Sequence, residues 1–182
     1  RTLDPALMAA GIQLQLAAYA AALRANPAAA AQLGVRQLVP AGVFYVNLSG
    51  TAKPADSRAA ATAEHAQSLR TAFQHTGRFD AACLPQLDRR GANRGDQFKY
   101  ARKKDGTLNA RSKEALSAGE FQGMIDAVER QLVEMGRAIY GGTARVDPRK
   151  TGSRCSCDFC DYASICRIDP WRHAYRTLRA PE

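Results

Sequence analysis

Histidine is scarce in this chain, and cysteine is almost confined to its end. There are three histidines, His65, His75 and His173, and they show no metal-ligand spacing. They read as ordinary surface or core residues. No segment approaches the roughly 20 apolar residues that a membrane-spanning helix needs. The longest apolar run, around Leu14 to Leu23, is alanine-rich and interrupted by Gln15. No basic segment followed by an apolar core and a cleavage site opens the chain, so a secretory leader is not expected. A reducing compartment follows, where clustered cysteines bind metal more often than they form disulfides. Acidic residues are also short: 17 against 26 Lys and Arg, for a formal net charge of +9. That balance favours a polyanionic partner, DNA or RNA, over an acidic one.

What is present suits one domain with a real core: 182 residues, 46% of them hydrophobic. The first residue is not Met and stands mid-pattern, which suggests part of a longer chain. Asp4-Pro5 has the form of a helix start, with Asp as N-cap and Pro at the first helical position. The Ala-, Leu- and Gln-rich segment to about Ala25 predicts a helix that Asn26-Pro27 interrupts. Ala28 to Leu33 predicts a further helical turn before Gly34. Val43 to Leu48 reads as a buried strand. A second helix is expected over Ser57 to His75. Leu84 to Gly95 is polar and irregular. Gln97 to Tyr100 predicts a short strand, and Lys104-Asp105-Gly106 a turn.

Ser117 and Glu120 form an S-x-x-E capping box. Phe121, Met124, Ile125, Val128, Leu132, Met135 and Ile139 then recur at helical spacing, the pattern of a core-facing stripe. Gly141-Gly142 closes that helix. Asp147-Pro148 opens an irregular basic segment that delivers the cysteines. The fold class predicted is α/β, helix-rich, with an incomplete sheet.

Four of the five cysteines, Cys155, Cys157, Cys160 and Cys166, lie within twelve residues. Cys157-x2-Cys160 can face two thiolates toward one centre, and five further residues can return Cys166 to it. Thiolates are soft ligands that suit zinc or an iron–sulfur cluster. Zinc sites usually pair two ligands with two more across a loop, whereas this pattern is one pair plus a third. Free or buried thiols are the bland alternative, and four in so short a polar segment argue against it. Cys83 stands alone and reads as a core thiol.

Cys157-x2-Cys160-x5-Cys166, followed by Arg167-Ile168-Asp169, resembles the C-terminal iron–sulfur staple of AddB-type nuclease subunits of bacterial AddAB helicase–nucleases. Gln15 and Tyr19 resemble that family's Q-x3-Y helix, Pro40 to Tyr45 the strand after it, and the long helix ending at Gly141-Gly142 the lead-in to the cysteines. The resemblance implies the C-terminal part of a PD-(D/E)XK, RecB-like nuclease domain over residues 1–150. It implies a cysteine-rich staple and tail over residues 151–182. It also implies a deoxyribonuclease acting with Mg²⁺ on DNA ends for recombinational repair. A 4Fe-4S cluster would be held by Cys157, Cys160 and Cys166, with Cys155 as a further candidate ligand. Gln15 and Tyr19 would be accessory active-site residues, and an AddA-type helicase–nuclease subunit the partner, in the bacterial cytoplasm.

Two departures bear on this. The family's catalytic metal is held by an Asp and a D/E-x-K motif, and neither D-x-K nor E-x-K occurs here. The family's fourth cluster cysteine, far upstream, has no counterpart either. The chain alone is therefore expected to be inactive. Lys99, Arg102, Lys103 and Lys104 are candidate nucleic-acid contacts; Arg89, Arg90, Arg94, Arg149, Lys150 and Arg154 are further basic groups. Two other readings compatible with these residues are a zinc- or cluster-stabilised nucleic-acid-binding module and a CRISPR-associated RecB-like exonuclease.

Overall fold

The computed structural model describes residues 2–49, 54–62, 71–169 and 171–178. It divides into two compact units, Arg1–Leu3 with Gln15–Asp126, and Asp4–Leu14 with Ala127–Glu182. Among the described residues no helix is long and apolar enough to cross a membrane.

The N-terminal helix expected to run to about Ala25 is two helices. α1 spans Pro5–Ala9, with the Asp4 carboxylate accepting from the Ala6 N–H at 2.8 Å. Gly11 then takes a left-handed backbone (φ 79°), while the N–H groups of Gly11 and Ile12 bond back to the carbonyls of Met8 and Leu7. That is a Schellman closure, and it ends the helix where composition alone would continue it. α2 restarts at Gln15 and runs to Arg24, and α3 covers Pro27–Gln32 with Asn26 as N-cap.

The first unit contains a three-stranded mixed sheet. β1 (Gly42–Tyr45) pairs antiparallel with β2 (Thr76–Asp80), which pairs parallel with β3 (Ala115–Leu116). The chain is thus α/β, as expected. The strand expected to reach Leu48 stops at Tyr45, where Asn47 turns away to bond His75 and Ala72. Of the helix expected over Ser57 to His75, residues 58–62 and 71–72 are helical, and residues 63–70, with His65, lie outside the described residues.

The core of this unit is aromatic. Phe79, Leu84, Phe98 and Tyr100 are buried together, with Phe44 packed against them. Ring centroids stand 5.1 to 6.2 Å apart, a spacing that adds to area burial. The short strand expected over Gln97 to Tyr100 is instead a single isolated bridge, Phe98 to His75, with another just after it from Ala101 to Arg94. The tight loop around Gly95 interrupts the ladder there: its N–H bonds the Tyr100 carbonyl at 3.1 Å. After β2, a 3-10 turn (Ala81–Cys83) leads into the one-turn helix α4 (Leu84–Leu87), so the segment read as irregular begins in order.

The long helix α5 (Ala118–Tyr140) begins with the capping box: the Glu120 carboxylate accepts from the Ser117 N–H at 2.9 Å, and the Ser117 hydroxyl faces the Glu120 N–H at 3.3 Å. Phe121, Ile125 and Val128 are buried. Beyond them the expected core stripe is corrected: Leu132 and Met135 are 38% and 42% exposed and Ile139 is 73% exposed. Within the second unit, Gln131 of this helix donates to the Ala9 carbonyl at the end of α1, and Gln131 and Met135 lie beside Gly11. The C-terminal half is apolar but largely uncovered.

The basic segment after it is not irregular. β4 (Arg149–Thr151) pairs antiparallel with β5 (Arg154–Cys155) through a two-residue turn, and parallel with β6 (Arg176–Leu178). A one-turn helix, α6 (Ala163–Cys166), carries the last cysteine.

Candidate nuclease-domain residues and thiol cluster

Gln15 opens α2, and Tyr19 follows one turn later on the same face. The Gln15 Nε2 donates to the Tyr19 hydroxyl at 2.9 Å. Tyr19 is 58% exposed, so it is not a core residue. Its ring also lines an apolar groove of about 460 Å³ with Leu23, Leu33 and Val39. The pair therefore presents a linked amide and hydroxyl at the edge of an apolar surface, where both retain hydrogen-bonding capacity toward a ligand.

The four clustered cysteines are free thiols on the second unit. Cys155 ends β5; Cys157 and Cys160 lie in the turns after it, and Cys166 ends α6. Local hydrogen bonds shape the loop. The Cys155 N–H donates to the Asp158 carboxylate at 2.8 Å, the Cys157 N–H faces the Cys155 Sγ at 3.4 Å, and the Cys160 N–H bonds the Cys157 carbonyl. Desolvation pushes the Cys157 thiol up, and Cys155, Cys166 and Cys160 push it further in the same direction. All three are thus within electrostatic reach of Cys157. As thiolates they repel, and a bound cation reverses that sign. The donor chemistry fits a soft metal centre. Among the described residues, however, no group of three or more His, Cys, Asp or Glu is arranged to hold an ion. Neutral thiols have no attraction for one another; a metal's charge draws them together.

Neither remaining histidine joins this cluster: His75 accepts from the Asn47 N–H and His173 from the Asp169 N–H. Cys83 is half-buried rather than a core thiol, with burial and the nearby Asp80 raising its pKa. A carboxylate-held hydrolytic metal does not fit this chain, which has no D/E-x-K motif and no acidic cluster arranged for an ion among the described residues. No metal-bound step is assigned to its residues.

Of the four basic candidates, the structure separates Lys99 from the rest. Lys103 and Lys104 sit on the exposed turn closed by the Gly106 N–H to the Lys103 carbonyl, and Arg102 is half-buried beside it. Lys99 lines a different concavity together with Arg94, Arg111 and Lys113. Arg111 and Lys113 escaped the sequence reading; the signal was their alternation about Ser112, whose hydroxyl bonds the Ala101 backbone. Arg90 is occupied internally: it grips Asp88 through two bonds of 2.6 and 2.9 Å and also bonds Asp96. Lys150 lies 5.9 Å from the Tyr175 ring centre.

The sequence profile of the PD-(D/E)XK nuclease superfamily matches residues 3–167. The chain belongs to that superfamily. Among individual proteins it is similar to an ATP-dependent helicase/deoxyribonuclease subunit of Moorella thermoacetica, 30% identical over 177 residues, and to that of Desulforudis audaxviator, 29% identical over 180 residues. Each alignment covers 93% of this chain and 14% of the relative. The protein of the same name from Natranaerobius thermophilus is 26% identical over 161 residues, 87% of this chain and 13% of its own length. The chain thus spans about one-seventh of the curated relatives it matches. This superfamily assignment agrees with the α/β architecture.

Proposed function

We propose that this chain is the C-terminal part of the nuclease domain of a helicase–nuclease subunit. The parent protein processes DNA double-strand-break ends for recombinational repair by metal-dependent phosphodiester hydrolysis. The observation that carries this reading is the superfamily match across residues 3–167, joined by relatives that share one name and nearly the full span of this chain. The carboxylates that would hold Mg²⁺ belong to the parent protein outside this sequence. Gln15 and Tyr19 act as accessory groups, using their exposed amide and hydroxyl to order the scissile strand. Cys157, Cys160 and Cys166, with Cys155 or a cysteine elsewhere as the fourth ligand, hold a 4Fe-4S cluster that staples residues 151–182 to the nuclease domain. Closing so long a loop restricts the unfolded ensemble, and ligation adds folding free energy directly. The partner is an AddA-type helicase–nuclease subunit, and a chromosomal substrate places the assembly in the bacterial cytoplasm.

The test is degradation of linear duplex DNA by the parent protein with its partner, ATP and Mg²⁺. Loss of linear DNA that stops on chelation is expected; intact DNA under those conditions refutes the reading. The 182-residue chain alone is expected not to cleave, and metal-dependent cleavage by it would refute its assignment as a part lacking the catalytic carboxylates.

A further inference from the structure

The concavity that contains Lys99 has a charge pattern that the nuclease reading leaves unused. It is a pocket of about 590 Å³ in the first unit, within the size range of ligand sites. Four cations line it, Arg94, Lys99, Arg111 and Lys113, against a single acid, Glu114. None of the four is at ion-pair distance from a carboxylate among the described residues. Other arginines differ. Arg90 is held by Asp88 and Asp96, Arg24 by Asp126 and Arg176 by Asp147, so their charge is already compensated. The pocket keeps an uncompensated local charge of about +3, which attracts an anion and releases counterions when one binds.

The floor under these cations is rigid. Gly95 packs so closely that a Cβ there would lie 2.0 Å from the Phe98 carbonyl oxygen. The Gln74 amide donates to the Gly95 carbonyl at 3.0 Å, and the Ser112 hydroxyl accepts from the Ala101 N–H at 3.0 Å. Tyr100 beneath them is buried and tied to Asp88 at 2.8 Å. The cationic side chains are exposed and long, while the backbone that carries them is fixed by these bonds. A preorganised concave cradle with long, exposed cationic side chains suits phosphates on a flexible strand.

We propose that this pocket is a phosphate-binding site for the backbone of single-stranded DNA, with Arg94, Lys99, Arg111 and Lys113 as the phosphate contacts. The identity of the strand rests on the nuclease reading. Binding is measured without cleavage, so the two stand or fall separately. The experiment is fluorescence anisotropy of labelled oligothymidylate with the intact protein over a salt series. The variant carrying Arg94→Gln, Lys99→Gln, Arg111→Gln and Lys113→Gln is expected to bind about tenfold or more weakly at low salt. Its slope of log affinity against log salt should shrink by up to about 3, at about 0.7 per neutralised phosphate on a single strand. Glu114→Gln removes the one opposing charge and should tighten binding. Arg137→Gln with Arg145→Gln, exposed and outside the pocket, should leave affinity near wild type. An oligomer with uncharged methylphosphonate linkages should not distinguish wild type from the four-site variant. Wild-type affinity and salt slope in the four-site variant would overturn the proposal, as would an equal loss from the Arg137 and Arg145 pair.

Discussion

Replacing Tyr100 by Phe removes one hydroxyl and leaves the ring in place. That hydroxyl donates to the Asp88 carboxylate at 2.8 Å, and Tyr100 and Asp88 are only 6% and 8% exposed. Burial and the bond to Asp88 push the Tyr100 phenol up to about 12, so it is a neutral donor at any working pH. Hydrogen bonds to charged groups contribute about 1.5–3 kcal/mol, and the lower half applies here because Asp88 keeps Arg90. The expected cost of Tyr100→Phe is therefore about 1.5–2 kcal/mol, read as a lower urea midpoint with an unchanged slope. Asp88→Asn should cost more, about 3 kcal/mol, because it strips the buried charge from both partners. The pH dependence has a fixed sign. The Arg90 guanidinium, then the Tyr100 hydroxyl, hold the Asp88 carboxyl well below the ordinary carboxylate range. A depressed folded pKa stabilises above the unfolded value near ~4 and loses that contribution as pH falls toward the folded value. The difference between wild type and Asp88→Asn should therefore narrow steadily below about pH 4. Equal midpoints for wild type and Tyr100→Phe at neutral pH, or a difference that does not narrow in acid, would refute this account of the network.

Three other perturbations are informative. A Cβ on Gly77 would lie 2.0 Å from the Val43 carbonyl oxygen, so Gly77→Ala should force β1 from β2 at a cost of about 3 kcal/mol, seen in a thermal melt. Gln15→Ala and Tyr19→Phe remove exposed groups, so nuclease activity of the parent protein should fall while its melting temperature stays within a degree or so of wild type. Anaerobically purified parent protein should contain iron and sulfide and absorb near ~400 nm, and Cys157→Ser, Cys160→Ser or Cys166→Ser should abolish both signals. Stoichiometric zinc without sulfide would replace the cluster assignment. Reduction and reoxidation of a purely structural centre should leave cleavage unchanged.

Local chemistry was legible wherever a short stretch of chain contains the whole cause. The Asp4 cap, the Ser117–Glu120 box and the turn at Gly106 each need only neighbours within a few residues, and each stands where the sequence puts it. The superfamily was legible for a related reason, since the motifs lie in order along the chain. Strand limits and burial were not. β1 ends early because Asn47 finds partners at Ala72 and His75, and the stripe on α5 is buried only in its first half.

Sequence by itself determined the helix caps and the α/β character, because capping and periodicity are local properties. Only the tertiary structure decided which cations remain uncompensated. Arg90 and Arg94 are four residues apart and equivalent on paper. One is bound by Asp88 and Asp96, while the other opens into the pocket with Lys99, Arg111 and Lys113. Charge is counted along a chain, but its compensation depends on distance in space, and that distance is set by the fold.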